Sequence, residues 1–437
     1  MALPRSRRRA GVLFSLAALA AAGCGTTAPP PIQDSALAGA RAMVRSRAQL
    51  LVEKDTEGYL RPVVGAARPL EEAIAAGAAA VPLSFANVTV TPHGVARDDA
   101  VEFRNALVEV VYGYEGLPED NRFRFSLRYD LQQRGGAWVV TGSRHDSDPR
   151  PPAEAAGAAG NRDQGGGTRF ERDLPLPFWA RFPVQATRSA HFLALHRPEL
   201  TEAGTVLELA EQARAGLEPR LRFGEPDAMH LVVLARDREE YEAVLGGDRG
   251  ADSLGVVSLV YIPSAPPEAR HMTLNLDRVL ERDRRSAGHA AGLTPVSIVQ
   301  HELAHLALAR VGSPFTPSWV EEGAAMHLAG ERRLDEWRLG LRDGTFDRIS
   351  VAGFAEGENL ADSDQYAYTN AAVSYLVEEF GTERFWEFYT RFQPAVASVV
   401  AAADSAAAFV LASVYDIDLA ELDRRTREWM AVQVAAG

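Results

Sequence analysis

The chain has 437 residues, with 46 basic against 59 acidic side chains and a formal charge of −13 at pH 7. Such a surface repels phosphate backbones, which argues against a nucleic-acid partner, and 46% hydrophobic residues suffice to bury the cores of two or three domains. The only cysteine is Cys24, so an intramolecular disulfide is excluded.

Arg5, Arg7, Arg8 and Arg9 precede an apolar run over residues 11–22 that is too short to span a bilayer, the make-up of an export signal. Ala21-Ala22-Gly23-Cys24 resembles the bacterial lipobox, with alanine where that motif usually starts on leucine. The resemblance implies a signal peptide over residues 1–23 and lipidation of Cys24. A stiff tether over residues 24–32 would then lift an exported body off the outer face of a bacterial membrane. Conventional cleavage and release as a soluble secreted protein is the alternative.

Residues 37–64 and 69–79 read as helices, and residues 85–91, 106–114, 122–132 and 137–142 alternate like β-strands. Helices followed by a long-stranded antiparallel meander resemble the nuclear-transport-factor-like cone fold, here over residues 33–148. The resemblance implies a curved sheet wrapped about a helix. No charged constellation in this module points to catalysis, so a structural or partner-binding role is expected of it. Residues 149–169, a run of proline, alanine and glycine, read as a flexible linker.

The remainder, residues 170–437, reads as α+β. Strands are expected at 182–195 and 229–235 with a helix at 199–218 between them, and short β segments at 254–262 and 271–276. One of the last two is expected to be an edge strand with which a peptide could pair. Helices are expected at 370–380, 382–392, 397–414 and 419–434.

The most informative stretch is His301-Glu302-Leu303-Ala304-His305, followed by Trp319-Val320-Glu321-Glu322-Gly323. Two histidines four apart share one helix face, so both rings can reach one tetrahedral Zn²⁺ while the intervening glutamate points at a metal-bound water. Thr294-Pro295 starts that helix, and Gly312 and Pro314 stop it after Val311. Thr316-Pro317 starts a second helix that ends near Ala329 at Gly330. A short connection folds the two side by side, and at about 1.5 Å per residue both His305 and Glu322 stand roughly 7–9 Å from it. Glu322 therefore arrives level with the histidines. Gly323 costs about 1 kcal/mol in a helix interior, which suggests a close backbone approach at that height.

These residues resemble the glutamate-zincin peptidases, the peptidase MA group that includes the thermolysin and aminopeptidase N families. The match covers residues 170–437 loosely and rests on His301, Glu302 and His305 with Trp319, Glu322 and Gly323. It implies one zinc ion per chain held by His301, His305 and Glu322, with Glu302 as general base and a peptide or protein as substrate. Leu308 and Val311 stand where the metzincin signature needs glycine and histidine. In aminopeptidase-like relatives a tyrosine faces the oxyanion, and Gln365-Tyr366-Ala367-Tyr368 before Tyr375-Leu376 and Gly381 looks similar; the spacing favours Tyr366, with Tyr368 as the alternative. Glu321 is expected to be a solvated carboxylate or to lie beside the centre without binding the ion, because adjacent helical residues point about 100° apart. His271, His289 and His327 read as ordinary core or surface histidines.

Nothing between residues 170 and 301 matches the Gly-x-Met-Glu-Asn strand with which aminopeptidases of this group hold a free amino terminus. The expected activity is therefore that of a zinc endopeptidase acting on exported or envelope proteins. The alternative is a zinc-holding pseudopeptidase that serves as a binding scaffold. Oligomeric state is not legible.

Overall fold

The computed structural model describes residues 35–93, 101–145, 176–222, 226–245, 254–260, 267–280, 294–313, 315–354, 363–392 and 403–436. The expected signal peptide, tether and linker lie outside these residues, as does His289.

The amino-terminal part opens with helices α1 (Ser35–Val52), α2 (Thr56–Leu60) and α3 (Arg68–Ala80). Four antiparallel strands follow in simple order: β1 (Leu83–Thr91), β2 (Glu102–Tyr114), β3 (Phe123–Arg134) and β4 (Ala137–His145). The tightest reversal, between β3 and β4, places Gly135 and Gly136 at φ of 57° and 85°, the left-handed pair that a two-residue hairpin demands. In β3, residues 123, 125, 127, 129 and 131 are buried in strict alternation, giving one face to the core shared with α1 and α3. Fully buried Glu71 of α3 accepts hydrogen bonds from Arg47, Tyr59, Tyr129 and Ser143. A buried carboxylate is tolerated because every partner is supplied, and the network ties α1, α2, α3, β3 and β4 together.

The second part begins with a short helix, α4 (Phe178–Arg181). It carries Trp179 into the first part's core. There the Trp179 Nε1 donates to the Tyr114 hydroxyl at 3.0 Å, and the indole stands edge-on to Tyr112 and Phe125. Gly77 of α3 permits the approach, since a Cβ there would lie 1.7 Å from the Trp179 carbonyl oxygen.

Beyond α4 lie β5 (Gln185–Arg188), β6 (Phe192–His196), α5 (Ala203–Leu217), β7 (His230–Ala235), α6 (Arg238–Leu245), β8 (Gly255–Val260) and β9 (Glu268–Asn275). The sheet runs β5-β6-β7-β9-β8, with β6, β7 and β9 parallel and the two outer strands antiparallel to their neighbours. Every residue of β6 and β7 is buried, which requires cover on both faces. Phe192, Ala194, Val232, Leu234, Met272 and Leu274 face the helices of the second part, whereas Leu193, Leu195, Leu231 and Val233 join the core of the first. The amino-terminal part is thus the second lid of this sheet. Polar clamps register the two: Asn121 and Arg270 exchange hydrogen bonds at 2.9 and 2.8 Å, and Arg124 pairs with Glu268 at 2.8 Å.

A helical lobe completes the α+β chain: α7 (Pro295–Leu308), α8 (Ser318–Ala329), α9 (Leu334–Arg342), α10 (Ser363–Phe380), α11 (Thr382–Thr390), α12 (Ala403–Tyr415) and α13 (Leu419–Ala436). The expected strand at 182–195 is instead a hairpin of β5 and β6, broken because Glu211 accepts hydrogen bonds from the Ser189 hydroxyl and the His191 amide at the turn. Helices α4, α6 and α9 were not expected. Of the two candidate edge strands, β8 is the edge and β9 lies inside the sheet. Among the described residues no helix is long and apolar enough to cross a membrane.

Because Trp179 is buried in the core that joins the amino-terminal part to one face of the second sheet, Trp179→Ala should cost about 3–5 kcal/mol in urea-induced unfolding of the whole chain, as truncation of a buried tryptophan does. A loss under about 1 kcal/mol on that general scale would mean that the site simply collapses around the gap.

Candidate metal centre

Helix α7 starts where its local chemistry dictates. The Thr294 hydroxyl accepts from the Ser297 amide at 3.1 Å, the Ser297 hydroxyl accepts from the Thr294 amide at 2.8 Å, and Pro295 takes the first helical position. The helix ends at Leu308, short of the expected Val311, and its buried stripe of Val299, Leu303, Ala304, Leu306 and Leu308 docks in the core. Helix α8 begins with Pro317 as an N-cap that makes no side-chain bond; Thr316, expected to cap it, accepts from the Ser313 amide at 3.2 Å within the connecting turn. At the far end Gly330 adopts φ of 74°. Its amide bonds the His327 carbonyl while the Glu331 amide bonds the Met326 carbonyl, a Schellman closure.

The two helices bring His301, His305 and Glu322 together. His301 Nε2 lies 3.1 Å from His305 Nε2 and 3.2 Å from Glu322 Oε2, and His305 Nε2 lies 3.5 Å from the same oxygen. Zinc bonded tetrahedrally at about 2.0–2.1 Å spaces its ligands roughly 3.3 Å apart, so this triangle has the size of one coordination face. The donor set of two imidazoles and one carboxylate also suits zinc, and it leaves room for a fourth, exchangeable position.

Electrostatics agree with that fit. Burial opposes charge on His301, yet the Glu331 and Glu322 carboxylates hold its imidazole well above the usual range. Burial likewise works against the Glu322 carboxylate, but His305 and His301 hold it well below the usual range. The pocket demands positive charge among its carboxylates, which a divalent cation satisfies while leaving both imidazoles neutral.

Sequence reasoning missed Glu331. Its Oε1 lies 2.9 Å from His301 Nδ1 and its Oε2 accepts from Arg333 at 3.2 Å. A proton on Nδ1 shared with Glu331 leaves the Nε2 lone pair facing His305 and Glu322, the tautomer a metal ligand needs. The local signal was Gly330: the Schellman closure reverses the chain and delivers the next side chain back toward α7. Glu321, expected to be solvated or beside the centre, is half-buried in the first turn of α8 and is not one of the three converging ligand groups. The carboxylate bonded to His301 Nδ1 is Glu331.

Glu302 is buried on α7, and burial, only partly offset by His301 and His305, pushes its carboxyl above the usual range. It packs against edge strand β8, where a Cβ on Gly255 would lie 2.8 Å from the Glu302 Cγ. Gly323 has a different partner from the one expected. A Cβ there would meet Val373 at 2.3 Å and the Thr369 carbonyl at 3.1 Å, so the close approach is to α10 and not to α7. Tyr366 is half-buried, stacked under the Arg333 guanidinium at 5.7 Å and edge-on to Phe354. Tyr368, the alternative oxyanion donor, is fully buried, with its hydroxyl bonded to Asp423 and Arg427. Facing the other side of α10, it is a packing residue. His327 stacks near Phe385, and His271 is bound through Nδ1 to the Ala269 carbonyl, in keeping with ordinary structural histidines.

No protein-family model matches the sequence, and no curated protein matches it. Among solved structures the chain is similar to a mutant M1 zinc metallopeptidase from Deinococcus radiodurans, at 11% identity and a TM-score of 0.32 over 79% of this chain and 92% of that one. It is similar too to a two-domain M1 zinc metallopeptidase mutant bound to L-arginine, at 11% identity and a TM-score of 0.33 over 80% and 94%. Overlaps this loose carry no weight for function.

Glu331→Ala should weaken zinc binding about 10–100-fold, as loss of a partner behind a ligand does, and Glu331→Gln, which keeps an acceptor, should weaken it less. Competition with a chromogenic chelator measures both. Wild-type affinity in the alanine variant would remove Glu331 from this role.

Proposed function

We propose that this chain is a zinc-dependent peptidase, and specifically an endopeptidase. The observation that carries the reading is the convergence of His301, His305 and Glu322 within 3.5 Å of one another, beside a buried Glu302. Zinc, when bound, acts as a Lewis acid that acidifies water and polarises a carbonyl.

The chain's own groups would do the rest. Glu302 accepts a proton from the attacking water, whose oxygen bonds to the carbonyl carbon of the scissile peptide. As the carbon–nitrogen bond breaks, Glu302 returns that proton to the departing amine. Its raised carboxyl suits both duties. Tyr366 is the donor we assign to the developing oxyanion. Gly255 leaves space for the Glu302 side chain, and β8, which among the described residues is bonded to β9 alone, offers an edge along which an extended substrate can lie. Strand β8 reads Gly-Val-Val-Ser-Leu-Val and carries no acid to hold a free amino terminus, which supports internal cleavage.

The test is proteomic cleavage profiling of zinc-loaded protein. Glu302→Gln should retain about one zinc per chain yet lose roughly 10²–10⁴-fold in turnover. A glutamine variant as active as the wild type would sink the mechanism, and a phenotype indifferent to it would favour a zinc-holding scaffold.

We further propose that the leader and Cys24 anchor the chain to the outer face of a bacterial membrane, so that exported and envelope proteins are its substrates. Cys24→Ser should then move the protein from the membrane fraction to the soluble one. Unchanged fractionation would favour another means of retention.

A further inference from the structure

A second site borders the metal centre, with Glu331 in its lining. It is a cavity of about 410 Å³ between the turn after α5, the end of α8, the middle of α10 and the start of α11. Leu328 and the Trp386 indole, both buried, form part of its lining, and Arg220, Arg222 and Arg332 stand among the exposed residues around it.

The charges do not cancel. Of the two acids in the lining, Glu378 is engaged by Arg332 at 3.3 Å, by the Trp429 indole at 3.3 Å and by Gln433 at 3.4 Å. The other, Glu331, is engaged by His301 and Arg333. Arg220 donates to the Leu328 carbonyl at 3.0 Å, but among the described residues neither Arg220 nor Arg222 has a carboxylate within salt-bridge reach. Among the described residues these two guanidinium charges thus face no paired carboxylate, in a chain that is acidic overall. His327 adds none, since burial and the neighbouring Arg220 hold it below the usual range.

A further feature adds to the positive field. Thr382 lines the cavity and is the first residue of α11, whose N-cap, Gly381, has no side chain to bond the first-turn amides. The amino-terminal end of that helix borders the same space, and its partial positive charge is offset only in part by Glu383 in the first turn. Guanidinium groups, a helix start and an apolar wall meet around one volume.

We propose that this cavity binds a small organic anion, an apolar body against Trp386 and Leu328 with its carboxylate or phosphate among Arg220, Arg222 and the start of α11. The site is independent of the zinc-peptidase reading, and either can fail alone.

Calorimetric titration of the full chain, zinc-loaded and chelated, with phenylacetate and with phenyl phosphate tests it, phenylacetamide serving as the neutral control. One saturable class that survives chelation is expected, weakened by added salt and absent with phenylacetamide; which anion binds more tightly identifies the headgroup. Arg222 is exposed, so Arg222→Glu should fold normally and weaken this class roughly tenfold or more, since it replaces attraction by repulsion at close range. Anion binding that vanishes on chelation belongs to the metal centre and overturns the proposal. So does binding unchanged in Arg222→Glu, equal binding of phenylacetamide, or no binding of either anion.

Discussion

Three lone-pair donors held within 3.5 Å of one another are the constraint on which the carboxy-terminal half depends. Two imidazole nitrogens and a carboxylate oxygen converge in this way only where a proton or a cation lies among them, and the helices around them must hold that geometry for an incoming ion. The capped start of α7 sets the histidines, the short turn to α8 sets the height of Glu322, and Gly323 lets α10 press on α8 from behind. The centre is thus assembled from three helices, two that donate and one that braces.

The sheet gives those helices a foundation, and it is buried on both sides. Alternate residues of β6 and β7 belong to different cores, so the amino-terminal part is a structural wall of the same body and not a module strung alongside. Trp179 fills space inside that wall. The Glu71 network is satisfied from within, and Glu71 itself is fully buried.

What was legible in the sequence follows from the range of the physics. Caps are local, so Thr294-Pro295 and Gly330 located both helices of the centre within a few residues, and period-two burial located β1 to β4. The pairing of Glu322 with the histidines was legible too, because a short turn between two capped helices leaves little freedom of height. Side-chain partners across long separations were not. Gly323 announced a close approach without naming α10, and the two tyrosines of α10 looked alike until burial sent Tyr368 to Asp423. Glu331 escaped because its direction depends on a left-handed residue whose effect is seen only once the chain has turned. The hairpin of β5 and β6 read as one strand, for the carboxylate that breaks it comes from α5.

The Schellman closure at Gly330 joins two equilibria. Holding Glu331 against His301 requires the last turn of α8 to be wound, and winding that turn is favoured by whatever keeps His301 in place. Metal affinity and the fraying of a helix end are therefore linked quantities, each altering the other by the same free energy. A side chain at position 330, some distance from any ligand atom, would both strain the left-handed φ of 74° and displace the Arg220 guanidinium, and so disturb the metal centre from behind.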